Sequence, residues 1–183
     1  MIKLLGCLTA LSLLCGFHDP DPLSLRPIAA AMTVPGVTVT WGWEKCGFIN
    51  AWYSPRTRHV TMCEELKTAP GGSPGFVRYV FAHEVAHSVI IQRDLAFTGS
   101  SEGAADEFAA FVLVLMGRGQ DVLDGAAFWL ARSADEDPLD PHLGDIRRAY
   151  GMVCIVATSY EPEPACDLQW DHVAKTWLTL LRV

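Results

Sequence analysis

The spacing of hydrophobic and polar residues changes along this chain, and the change separates a short β segment from a longer helical one. Over residues 37–43, after the Pro35-Gly36 break, apolar and polar positions alternate and β-branched and aromatic residues dominate, which predicts a strand. Residues 49–53 and 58–62 flank Ser54-Pro55-Arg56-Thr57, a turn-forming tetrad with proline at its second position, so these two runs predict a β-hairpin. Beyond the breaker cluster at residues 69–75 the period lengthens. Helices are expected over residues 76–90, 101–116, 122–131, 143–158 and 170–181, with Gly or Pro at each junction. In the first of these, apolar residues occupy nearly every face, as in a helix buried at a domain centre. In the second, Phe108, Phe111, Val112, Leu115 and Met116 form the core stripe, and Ser100 or Ser101 caps the start. The expected fold class is α+β, with a small antiparallel sheet of a strand plus the hairpin packed on a bundle of helices. Residues 17–32 contain three prolines and no clear period, so they read as a loosely attached arm, with one domain over residues 33–183.

Half of the 183 residues are apolar, enough for one core and short for two. The formal net charge of −7, with no basic run, removes the electrostatic basis for binding nucleic acid. Met1-Ile2-Lys3 followed by an apolar run from Leu4 to Leu14 has the form of a secretory signal, assigned to residues 1–16, and the run is too short for a stable membrane span. Export to the periplasm or beyond is therefore expected. No cleavage site is well marked, and Cys7 and Cys15 are poorly placed for lipoprotein anchoring, which is the weaker reading. After the signal, Cys46, Cys63, Cys154 and Cys166 remain. An even number in an oxidising compartment points to two disulfides. Hairpin pairing would bring Cys46 to Cys63, and Cys154 and Cys166 bracket the Pro-containing turn between the last two helices.

The chemistry concentrates in His83-Glu84-Val85-Ala86-His87. On a helix His83 and His87 lie one turn apart on one face and can reach a single Zn²⁺, with Glu84 beside them to hold the metal-bound water and take its proton. Glu102 follows His87 by fifteen residues and shares a helix face with Asp106, four residues on. That spacing suits a third zinc ligand and a carboxylate that orients a ligand histidine. Glu107 points elsewhere and reads as solvated, and His59, in a charged strand, reads as a surface residue. The acidic stretch from Asp135 to Asp140 matches no EF-hand spacing.

His83-Glu84-x-x-His87 followed by Glu102-x-x-x-Asp106 resembles the gluzincin pattern of zinc metallopeptidases. The resemblance implies that the two histidines and Glu102 bind zinc, that Glu84 is the general base, and that Asp106 hydrogen-bonds a ligand histidine. More narrowly, Asn50-Ala51-x-Tyr53-x-Pro55, Cys63-x-Glu65-Leu66 and Glu102-x-Ala104-Ala105-Asp106 are similar to a bacterial domain-of-unknown-function family of metallopeptidases, over roughly residues 37 to 181. In that family the stretch resembling residues 134–140 usually has His where this chain has Asp137. If that His stabilises the oxyanion in relatives, another donor is needed here, and His142, Tyr150 and Arg147 are the nearby candidates. The expected activity is zinc-dependent hydrolysis of a peptide or protein substrate, with residues 58–63 along the cleft to receive an extended peptide by strand addition. The alternative is a secreted zinc-binding or scaffolding protein without turnover. Glu84 speaks against it, since a purely structural site gains nothing from a carboxylate beside open zinc. Oligomeric state leaves no mark in the sequence.

Overall fold

The computed structural model describes residues 23–132 and 144–181. Among them are six α-helices and a three-stranded sheet: α1 (Leu25–Met32), β1 (Thr40–Glu44), β2 (Ala51–Ser54), β3 (His59–Cys63), α2 (Pro74–Gln92), α3 (Ser101–Leu115), α4 (Gly119–Arg132), α5 (Asp145–Thr158) and α6 (Trp170–Leu181). The class is α+β, as the spacing predicts. None of these helices is long and apolar enough to cross a membrane.

The hairpin forms at the expected place, with Ala51 opposite Met62 and Ser54 opposite His59 in antiparallel register. The sheet as a whole is mixed, which corrects the all-antiparallel expectation. Strand order is β1-β3-β2, and β1 pairs with β3 in parallel, Thr40 opposite His59 and Glu44 opposite Cys63. Cys46–Cys63 closes the loop that leaves β1 onto the end of β3. The Glu65 carboxylate holds the same loop by accepting the N–H groups of Cys46 at 3.3 Å and Gly47 at 2.7 Å.

Helix α2 is the centre of the molecule. Pro74 opens it, and the Ser73 hydroxyl caps it by accepting the Phe76 N–H at 3.0 Å. The same hydroxyl donates to Asp124, which ties the start of α2 to α4. Phe76, Phe81, Ala82, Val85, Ala86, Val89 and Ile90 are buried on several faces, so α1, the sheet, α3 and α4 all pack against this helix. The sheet meets it where Trp41 stands edge-on to Phe81, and Gln92 clamps its end by donating to the Thr38 carbonyl and the Tyr53 hydroxyl.

Residues 25–32 depart from the arm expected there. They form α1, whose Leu25, Ile28 and Met32 recur at i, i+3 and i+7 and bury completely on the core. The prolines masked that short period, although Pro27 near the start of a helix breaks no backbone hydrogen bond. In α3 the cap is Ser100, and Phe108, Phe111 and Val112 are buried as expected. Leu115, the last residue of the helix, is instead 61% exposed. Cys154–Cys166 ties α5 to the segment just before α6, as the spacing suggests. The signal segment assigned to residues 1–16 lies outside the described residues.

Candidate metal centre

Tyr79, His83 and His87 project from α2 one turn apart, and α3 brings Glu102 and Asp106 across from them. His83 Nε2 stands 3.1 Å from His87 Nε2 and 3.2 Å from Glu102 Oε2, and His87 Nε2 stands 3.3 Å from Glu102 Oε1. Three donor groups thus converge, with their ligand atoms all within 4.8 Å of one another. A tetrahedral ion bound at 2.0–2.1 Å keeps its ligands about 3.3 Å apart, so this spacing fits a zinc-sized ion.

The opposite side of His83 is fixed from behind. Its Nδ1 lies 2.8 Å from Asp106 Oδ1, though the carboxylate is out of line for a well-formed hydrogen bond, so the contact is chiefly an ion-pair one. Asp106 is itself held by the Tyr79 hydroxyl at 2.5 Å and by Arg148, whose Nε and terminal nitrogen donate at 2.5 and 3.0 Å. Arg148 also reaches Glu102 Oε2 at 3.6 Å and lies over the Trp129 ring at 4.4 Å. With Nδ1 directed at Asp106, Nε2 is left to face Glu102.

The charges explain the titration of these groups. Burial opposes protonation of His83, but the Asp106 and Glu102 carboxylates outweigh it and push its pKa up to about 10. Hydrogen bonds from His83 and His87 hold Glu102 far below the usual carboxylate range. Burial works against ionisation of Asp106, yet His83 and Arg148 bring its pKa to about 2. Burial, reinforced by Asp106, pushes the Tyr79 phenol well up. Such a cluster, in which two imidazoles face carboxylates that all retain their charge, is electrostatically suited to a cation.

Glu84 is the next residue on α2 and faces the cleft rather than Asp106. Burial raises its pKa, while the two histidines and the Tyr53 backbone N–H oppose the rise. The cleft measures about 530 Å³ and is bounded by α2, by β2 with the Ile49–Asn50 loop before it, and by Phe128 and Trp129 of α4.

Strand β3, expected along the cleft, is the central strand with both edges taken, and β2 is the strand that borders it. Cys63 N–H donates to the Asn50 carbonyl at 3.1 Å, so the backbone groups of Ala51 and Tyr53 are those turned away from β3.

Of the three candidates for an oxyanion donor, Arg147 lines a small cavity behind Asp106, and the Tyr150 hydroxyl donates to the Ala165 carbonyl on the surface. Neither borders the cleft. His142 and Asp137 lie outside the described residues. Sequence reasoning missed Tyr79, one turn before His83 on α2, and Arg148, whose signal is position: it shares the face of α5 that carries the buried Met152 and Ile155. His59 sits away from the centre with its Nδ1 2.8 Å from Thr40 Oγ1. Glu107 does point elsewhere, but it accepts the Trp177 indole N–H at 2.8 Å rather than standing free in water.

A family model described as "Putative metallopeptidase" (DUF4344) matches residues 73–181, more than half of the chain and the whole of α2 to α6. No curated protein and no solved structure matches.

Proposed function

Because the chain belongs to this metallopeptidase family, we propose that it is an exported zinc metallopeptidase that hydrolyses peptide bonds with Glu84 as general base. One observation carries the reading: His83 Nε2, His87 Nε2 and Glu102 face one another 3.1–3.3 Å apart in the wall of an open cleft that Glu84 also lines. Zinc held by those three residues would supply a Lewis acid and lower the pKa of water to near 7.

The chain's own groups do the rest. A Glu84 carboxylate oxygen takes a proton from the attacking water, and its buried setting, which favours the protonated form, suits it to pass that proton to the leaving amine. Asp106 fixes the His83 ring through Nδ1, and Tyr79 and Arg148 fix Asp106. The outward backbone of Ala51 and the Tyr53 carbonyl on β2 offer an extended peptide a strand to lie against, replacing β3 in that role, while the Tyr53 N–H serves Glu84. Two disulfides support a location outside the reducing cytosol, in agreement with the apolar segment after Lys3.

The test combines metal analysis of the purified protein with cleavage of a mixed peptide library at neutral pH with added zinc. About one zinc per chain, with hydrolysis abolished by a chelator and restored by zinc, is expected. Zinc retained in stoichiometric amount by a His83→Ala, His87→Ala double variant would defeat the ligand assignment. Metal-loaded protein that cleaves nothing in a broad library would favour the non-catalytic alternative.

A further inference from the structure

The cleft differs at its two ends. Phe76, Val80, Glu84, His87 and Ile91 of α2 all border it, so it follows the helix axis for about 22 Å at 1.5 Å per residue. Toward the C-terminal end of α2 its edge is shallow, with Ile91 49% exposed. Toward the N-terminal end it is deep. There Phe76 is 2% exposed, and its ring stacks on Phe128 at 4.0 Å between centroids, with Leu66, Val80 and Trp129 completing the wall.

These side chains present carbon. Arg148 lies over Trp129 but is already engaged by Asp106 and Glu102. A charged group entering this end would lose water without gaining a partner, whereas an apolar one would exchange water for aromatic contacts. The indole Nε1 of Trp129 is itself buried, without a hydrogen-bond partner among the described residues.

We propose that the deep end of the cleft is the subsite for a bulky apolar or aromatic side chain, so that the substrates are extended peptides carrying Phe, Tyr, Trp, Leu or Met beside the bond presented to Glu84. This rests on the peptidase reading, because continuity with Glu84 and with the edge of β2 is what makes a peptide side chain the occupant.

Binding tests it independently of turnover. Zinc-loaded Glu84→Gln protein is titrated with dye-labelled heptapeptides that differ only at the central residue (Phe, Leu, Ala, Asp or Lys), and binding is followed by fluorescence anisotropy. Phe and Leu peptides should bind at least about tenfold more tightly than Ala, Asp or Lys peptides. Val80→Glu, which places an anion in the wall, should remove the preference for Phe and favour Lys. The wild-type wall decides the matter alone if that variant does not fold. Equal binding across the panel, or none up to millimolar peptide, overturns the subsite. Selective binding of apolar peptides with no hydrolysis by the unmutated protein overturns the peptidase reading and leaves the subsite standing.

Discussion

Gly125 of α4 lies directly against the ring of Tyr79: a Cβ at position 125 would come within 2.3 Å of Tyr79 Cδ1. No real side chain tolerates that contact, so the missing methyl group is what lets α4 seat the Tyr79 phenol beside Asp106. Gly125→Ala should therefore displace Tyr79, cost about 1–3 kcal/mol of stability, and weaken zinc binding. Thermal melts with and without zinc, together with a zinc titration, check this. Tyr79→Phe, which keeps the ring and removes only the hydroxyl, should change stability less.

Glu84→Gln should leave fold and metal content unchanged while hydrolysis falls at least about 10²–10⁴-fold, because it removes the proton acceptor and no ligand. Equal cleavage by this variant and the unmutated protein would show that another group takes the proton.

Asp106→Asn keeps the shape of the carboxylate but not its charge. Zinc affinity or activity should drop about 10–100-fold, as is usual when the group orienting a ligand histidine is lost. Arg148→Met should be costlier for the fold, since it leaves Asp106 buried without its two-pronged partner, a loss of about 3–5 kcal/mol. Urea unfolding of both variants separates the two effects.

Reducing Cys46–Cys63 or Cys154–Cys166, which span 17 and 12 residues, should each remove about 3 kcal/mol in the chain-entropy view. Mass mapping of unreduced peptides should recover these two pairs. Cys46 joined to Cys154 or Cys166 would contradict the fold.

The parts legible in the sequence are those governed by short-range geometry. His83, Glu84 and His87 share one helix turn, Glu102 and Asp106 another, and each disulfide brackets one turn, so spacing alone brings the partners together. The parts that escaped depend on distant packing. Arg148 meets Asp106 across 42 positions, and its neighbour Arg147 looks the same in composition while facing a different way on the helix. Strand order escaped for a similar reason, because a hairpin has two edges and local alternation does not say which one β1 joins. Gly125 carries no local signal at all, since its importance lies in a ring contributed by another helix.

The placement of the ligands on α2 also bears on how the protein opens. Both histidines, Glu84 and Tyr79 belong to the helix on which α1, the sheet, α3 and α4 all pack, so no peripheral segment can detach and carry the metal centre with it. Amide protons from Val85 to Val89 should then exchange with solvent only through complete unfolding, with the slowest rates in the chain. On heating or in urea, the metal centre and the tertiary structure should therefore be lost together in one cooperative transition.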